Sequence, residues 1–212
     1  MLKYYRIVRD AAKVVERAAI GAVDALNEGR IEQEPQFTDR MLGRIEQAME
    51  GYAEKGVSWR AKTLTDRGAK SQESLYGADF FGVVSIELPG LFVNKGFLAQ
   101  AKLIRPGKKM KPTEYERMKE QCDKMLQLSP DSFIFLYSNK EIRIVPAITI
   151  LSCEPINPHD LYSRSIANFF ENHFSCFIGD RKINCPSIEF LEAMADEYTT
   201  RNGLALFARY SD

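Results

Sequence analysis

The sequence lacks the features of several common protein classes. Its four cysteines contain no close CxxC pair and only two histidines are present, which argues against a structural zinc site. The first segment, MLKYYRIVRDAAKVVERAA, carries charges throughout and has no uninterrupted apolar core. We therefore expect neither a secretory signal nor a membrane span, and we predict a cytoplasmic protein with reduced thiols.

A net charge is also lacking, because 29 basic residues balance 29 acidic ones. No global field would draw the chain to DNA or to a membrane, so a polyanion would have to bind a local basic patch. What the sequence does contain is 45% hydrophobic and 27% charged residues, without repeats or low-complexity tracts. In 212 residues, this composition predicts one globular domain with an extension.

Hydrophobic periodicity predicts three helices in the first two thirds of the chain. Apolar residues at helical spacing indicate helices at residues 5–26 and about 38–54, with Thr38 or Asp39 capping the second. The third helix begins at Pro112-Thr113, where Thr113 and Glu116 stand in capping-box positions.

Runs of β character are interleaved with these helices. The strands are expected at residues 57–64, 78–88, 96–104, 133–137 and 142–150. Pro89-Gly90 and a loop through Asn94-Lys95 would join the second strand to the third, and the last two strands would form a hairpin. The remaining chain, residues 154–212, is expected to be mostly helical, with a terminal apolar run at 204–207.

An acidic residue lies early in one expected strand and a lysine lies late in the next. The two segments read Tyr76-Gly77-Ala78-Asp79-Phe80 and Leu98-Ala99-Gln100-Ala101-Lys102. With the order helix, strand, strand, helix, strand, roughly residues 38–150 resemble the PD-(D/E)xK nuclease superfamily. The resemblance implies an α/β fold: a restriction endonuclease-like core with a mixed central sheet flanked by helices. We place this core at residues 31–152, between an N-terminal helix at 1–30 and a mostly helical, packed C-terminal extension at 153–212.

The resemblance also implies roles for the matching residues. Asp79 and the backbone carbonyl of Ala101 would bind Mg²⁺, for which Mn²⁺ would substitute, and Lys102 would orient or deprotonate the attacking water. Gln100 and Lys102 are two apart on a strand, so both side chains leave the same face and can reach the metal. The non-catalytic alternative for Asp79 and Lys102 is a structural salt bridge.

Gln100 departs from the motif, because the superfamily usually has an acid two residues before the lysine. Glutamine at this position makes the motif similar to that of Mrr-type restriction enzymes, but it removes a full ligand charge. A site with Asp79 as its one carboxylate would be poor in charge for Mg²⁺, so we predict a further carboxylate ligand. Glu34, Glu46 and Glu73 are the candidates, and a solvated surface charge is the alternative for the helix glutamates Glu34 and Glu46.

Basic residues cluster directly after the predicted catalytic strand. We expect them to contact DNA phosphates beside the scissile bond, although a solvated loop would have the same composition. They are Arg105, Lys108, Lys109 and Lys111, together with Lys95 at the opening of the same strand.

The sequence therefore predicts a Mg²⁺-dependent deoxyribonuclease, most simply an endonuclease of bacterial or phage-related defence. Cutting both strands of a duplex favours a homodimer or higher oligomer. Two alternatives stay open. One is a catalytically inactive nuclease-fold protein that binds nucleic acid or a protein partner, and the other is an enzyme that is silent until an activating ligand or partner assembles it.

Overall fold

A mixed sheet lies between two layers of helices. The structure is a computed structural model that describes residues 4–64, 76–154, 157–185 and 187–210. The sheet has eight strands: β1 Ala53–Glu54, β2 Val57–Leu64, β3 Phe80–Leu88, β4 Leu91–Leu103, β5 Ser132–Tyr137, β6 Ile142–Pro146, β7 Arg164–Ser165 and β8 Asn202–Tyr210. Their order is β1-β2-β8-β3-β4-β5-β6-β7. The pairs β3–β8 and β4–β5 are parallel and the others are antiparallel, which confirms the predicted α/β class with a mixed, helix-flanked sheet.

Each face of the sheet has its own helices. One face is covered by α1 Tyr5–Asn27, α2 Glu34–Met49 and α5 Ile166–Phe174. The other face is covered by α3 Pro112–Leu128, α4 Ala147–Leu151 and α6 Leu191–Glu197. Short 3₁₀ turns occupy Pro158–Asp160 and Ile188–Phe190. None of the described helices is both long and apolar enough to cross a membrane.

The central strands are apolar on both sides because both faces are covered. In β3, Phe80 and Val84 pack toward α1, α2 and α5, whereas Phe81 and Val83 pack toward α3, α4 and α6. From Phe97 onward β4 alternates in the same way until Gln100, a polar residue that is 3% exposed, interrupts its α3 side.

The start of α2 differs from the sequence prediction. The helix begins at Glu34, with Pro35 in its first turn. Thr38 and Asp39 therefore lie inside the helix, and neither of them caps it. The Thr38 hydroxyl instead donates to the carbonyl oxygen of Glu34 at 3.1 Å. The helix ends at Met49, before Gly51 adopts a φ of 76°. In α3, the predicted capping box is also wrong, because Lys111 is the N-cap and makes no side-chain cap bond.

The strand boundaries differ in three places. The β3–β4 turn consists of Pro89 and Gly90 alone, so Asn94 and Lys95 lie within β4 and no loop contains them. Asp79 comes one residue before β3. β6 stops at Pro146 and the chain continues as helix α4.

The C-terminal region differs most from the prediction. Helices α5 and α6 agree with the prediction for this region. Residues 202–210, however, form β8 in the interior of the sheet, between β2 and β3. Leu204 and Leu206 face one side of the sheet and Ala205 and Phe207 face the other. A short apolar run buried on both faces has no alternation that would distinguish a strand from a helix.

Candidate functional site

The far end of β4 extends beyond β3, and this overhang builds the site. The β3–β4 ladder ends at the pair Phe80↔Ala99, so the backbone of Ala101 has no β3 residue opposite it. Asp79, just before β3, supplies the missing partner: its Oδ2 accepts a hydrogen bond from the N–H of Ala101 at 2.9 Å. The carboxylate is therefore fixed at the edge of the sheet by the strand that carries Lys102.

Glu34 caps the next backbone group along the same edge. Its Oε2 accepts a hydrogen bond from the N–H of Leu103 at 2.6 Å. Alternate residues of a strand are roughly 6.6 Å apart and point their N–H groups to the same side, so Glu34 and Asp79 are held as neighbours. Thr38, one turn later in α2, lies 3.1 Å from the buried hydroxyl of Tyr137, and this contact anchors the helix start to β5.

The side-chain amide of Gln100 lies among oxygen atoms. Its Nε2 donates to Asp79 Oδ2 and, at 3.2 Å, to the carbonyl oxygen of Ala101. The amide nitrogen thus stands at a point on which the Asp79 carboxylate and the Ala101 carbonyl converge. Rotation of the amide would exchange its nitrogen for its oxygen and bring a third oxygen donor to that point.

The electrostatics of Asp79 combine burial with nearby charges. Burial raises the pKa of the Asp79 carboxyl to about 6, and the N–H of Ala101 and the ammonium of Lys102 oppose this rise. Glu34 raises the pKa further and Arg201 lowers it. The carboxyl is therefore poised to change charge just below neutral pH.

An open cleft of about 560 Å³ leads to these groups. Its walls are the start of α2, the end of β4, helix α3 and the turn that precedes β8. Besides Asp79 and Glu34, the charged residues that line it are Lys102, Glu114, Arg117, Glu120, Lys124 and Arg201. A polyanion that entered would meet cations on more than one wall.

The donors at the β4 overhang suit a hard divalent cation. Two carboxylates, from Asp79 and Glu34, and the carbonyl of Ala101 are oxygen ligands of the kind that Mg²⁺ binds, and Gln100 can add an amide oxygen. Within the described residues, no group of three or more Asp, Glu, His or Cys side chains is arranged to hold a metal. The cation would therefore depend on backbone and amide oxygens as well as on carboxylates.

The other two candidate carboxylates are not part of this cluster. Glu46 bonds to Thr63 on β2, where its carboxylate accepts from the backbone N–H at 3.1 Å and from the hydroxyl. It does not line the cleft, because its position in α2 is more than three turns beyond Glu34. Glu73 lies outside the described residues.

Lys95 is placed where DNA phosphates would not reach it. The side chain is 5% exposed, and burial lowers its pKa, with Cys176 and Asp131 opposing this effect. A Cβ atom on Gly179 would lie 3.1 Å from its Cδ atom, so the residues after α5 cover it. Lys95 does not line the cleft, and this position contradicts the expected phosphate contact.

The rest of the basic segment is exposed beside the cleft. Arg105, Lys108 and Lys109 line a second groove of about 770 Å³, which shares Leu103 and Ile104 with the cleft. The segment has a defined path, because the buried Asn157 donates to the carbonyl oxygens of Arg105 at 3.0 Å and Lys108 at 2.6 Å. Lys111 is exposed too, with its Nζ 3.8 Å from Glu114.

Sequence reasoning missed the residues just before and at the start of β8. Thr199, Arg201 and Asn202 all line the cleft, although they lie about a hundred positions beyond Lys102 in the chain. The polar cluster Thr-Thr-Arg-Asn-Gly directly before the apolar run was a signal of a turn leading into a strand. Its proximity to Asp79 depends on β8 pairing with β3, which local pattern does not encode.

Comparison with protein-family models, with curated proteins and with solved structures finds no match to this chain.

Proposed function

We propose that the protein is a metal-dependent nuclease that hydrolyses phosphodiester bonds in DNA, with Mg²⁺ as its cation and a restriction endonuclease-like core. The observation that carries this proposal is the convergence of Asp79, Glu34, the Ala101 carbonyl and Lys102 at the β4 overhang, inside an open cleft. Oxygen donors next to an ammonium group are what phosphodiester hydrolysis requires.

Each residue of the site would have its own role in phosphodiester hydrolysis. A bound divalent cation supplies neutralisation of the phosphate charge and acidification of a water molecule. Asp79 and Glu34 hold the oxygen donors in place through their bonds to the β4 backbone. Lys102 directs its ammonium at the phosphate and orients the attacking water, and Gln100 rotates so that its amide oxygen replaces its nitrogen beside Asp79.

The test is cleavage of supercoiled plasmid in the presence of Mg²⁺ or Mn²⁺. We expect wild-type protein to cut, and Asp79→Ala and Lys102→Ala to lose at least about a hundredfold in rate. Lys140→Ala is the matched control, because Lys140 is an exposed lysine in the β5–β6 turn and does not line the cleft. Equal cutting by all four proteins would contradict the proposal.

A binding protein with a nuclease fold is the second candidate, and Gln100 favours it. The amide donates to Asp79 and so satisfies, without any cation, the carboxylate that a metal would otherwise bind. Titration calorimetry separates the candidates. Mg²⁺ or Mn²⁺ binding that Asp79→Ala abolishes supports the enzyme, whereas DNA binding without any cation affinity supports the binding protein.

Assembly and regulation belong to the same proposal. A homo-oligomer would supply two sites for the two strands of a duplex, and sedimentation with and without DNA measures it. A role in bacterial or phage-related defence, and activation by a ligand or partner, are extensions that cleavage assays with cell extracts would test.

A further inference from the structure

Three residues on two walls of the cleft each carry a buried polar atom without a partner. The atoms are Gln121 Oε1 on α3, Thr199 Oγ1 in the turn before β8, and Asn202 Oδ1 at the first residue of β8. In the part of the chain that the structure describes, none of them has a hydrogen-bond partner. Burial of an unsatisfied polar atom destabilises a folded protein, so three in one cleft call for a partner that enters it.

Backbone contacts hold Asn202 and Gln121 near Asp79. The backbone N–H of Asn202 donates to the carbonyl oxygen of Asp79 at 3.4 Å, and the Asn202 side chain is 4% exposed. Gly77, two residues before Asp79, has a φ of 76° and packs closely on α3. A Cβ atom at Gly77 would lie 2.6 Å from the carbonyl oxygen of Gln121, so the glycine permits this approach.

The turn before β8 adds backbone strain and a cation. Thr199 has a φ of 48°, a conformation that β-branched residues rarely adopt and that tends to be kept where a site requires it. Arg201 follows two residues later, is exposed, and is close enough to Asp79 to lower the pKa of its carboxyl. A phosphate at Lys102 would therefore have a guanidinium nearby, because both residues line the cleft.

Two amides and a hydroxyl match the edge of a nucleobase. An amide oxygen accepts from the exocyclic amino group of adenine or cytosine, and the amide NH₂ donates to an adjacent ring nitrogen or oxygen. Thymine has no amino group; when unpaired it offers these acceptors the single hydrogen on N3, whereas an amino group offers two. Because the three atoms are buried, a base reaches them only when it is unstacked and unpaired.

We propose that Gln121, Thr199 and Asn202 form a subsite for one unpaired, amino-bearing nucleobase beside the phosphate that Lys102 and Arg201 contact. This inference rests on the proposed nuclease function and narrows its substrate to DNA with a single-stranded or extruded nucleotide at the site.

The test compares binding of short fluorescent oligo(dA), oligo(dC) and oligo(dT) with a blunt duplex, in EDTA so that nothing is cut. We expect oligo(dA) and oligo(dC) to bind about tenfold more tightly than oligo(dT) or the duplex. The near-isosteric variants Gln121→Met and Asn202→Leu should lose this preference. Gln127→Met is the matched control: Gln127 is an exposed glutamine on the same helix that bonds Asp123 and does not line the cleft.

Thermal unfolding distinguishes a folding defect from the loss of a ligand contact. Because the atoms removed have no partner in the free protein, Gln121→Met and Asn202→Leu should unfold at the wild-type temperature or above it while binding oligo(dA) more weakly. Lower unfolding temperatures with an unchanged preference for amino-bearing bases would overturn the subsite, and so would equal affinity for oligo(dA) and oligo(dT). A Lys102-dependent plasmid cut would then leave the nuclease proposal standing, whereas absence of both cutting and binding would remove both.

Discussion

At the scale of single residues, two opposing effects act on the pKa of Asp79. Its bond to the N–H of Ala101 favours the charged carboxylate, but its burial favours the neutral acid and dominates, so the pKa rises to about 6. A carboxyl with such a pKa binds a cation at neutral pH and releases it on mild acidification. Under the proposed function, the position would trade stability of the free protein for a site that a cation completes.

The pH dependence of stability tests this account of Asp79. A raised folded-state pKa contributes stability below the unfolded value, about 3.9, and this contribution is lost as the pH rises through about 6. In EDTA near pH 7, Asp79→Asn should therefore raise the free energy of unfolding by about 3 kcal/mol, or the Tm by roughly 6–12 °C. Near pH 4 the difference should vanish. Glu116→Gln, at an exposed position, is the control and should show no such trend; a uniform gain at both pH values would refute the assignment.

The two helix glutamates should respond oppositely to substitution. Glu34→Gln keeps a hydrogen-bond acceptor for Leu103 but removes a charge beside Asp79, so calorimetry should show about tenfold weaker Mg²⁺ binding with little change in Tm. Glu46→Ala removes both bonds to Thr63 and should lower the free energy of unfolding by about 1–2 kcal/mol without changing cation affinity. The reverse pattern would mean that Glu46 is the missing ligand.

At the scale of elements, the candidate site depends on the overhang of β4 past β3. The hairpin, the QxK segment and a helix carrying a glutamate could be predicted from sequence, because each depends on local periodicity and turn residues. The identity of the glutamate next to Asp79 could not be predicted, because it depends on where α2 begins. With Pro35 in its first turn, the helix starts five residues earlier than it would with Thr38 as its cap, and this brings Glu34 to the sheet edge. Lys95 was misjudged for a related reason, since its cover comes from residues after α5.

The basic segment after β4 should act as an element in binding DNA. Lys108→Ala combined with Lys109→Ala removes two exposed charges from the groove beside the cleft. The slope of log affinity against log salt concentration should fall by about two, since each phosphate contact releases about one counterion. Lys95→Met is the control, because that lysine is buried away from the cleft and its loss should leave the salt slope unchanged. An equal change in both variants would show that the segment has no special role.

At the scale of the whole molecule, β8 joins the two halves of the sheet. It pairs with β2 on one side and with β3 on the other, and without it the described strands would fall into two separate sheets. The sequence predicted the layers and the mixed sheet but not this insertion, because pairing between residues so distant in the chain leaves no local mark. The same insertion brings Arg201 and Asn202 to Asp79.

Stability should therefore be most sensitive in β8. Leu206 is buried in the middle of the strand, and Leu206→Ala should lower the free energy of unfolding by about 2–5 kcal/mol in urea denaturation. Tyr210→Ala, at the exposed end of the same strand, should lower it by less than about 1 kcal/mol. Equal effects would mean that β8 is an added edge and not the centre of the sheet.

The place of β8 in the sheet also has a consequence for synthesis of the chain. Of the described strands, β8 is the last to leave the ribosome, and β2 and β3 have no bridge between them until it arrives. A growing polypeptide can pair β3 with β4 and dock α3, but it cannot close the wall that Thr199, Arg201 and Asn202 form around the cleft. The wall of the cleft is thus complete only after β8 has been translated and has paired with β3.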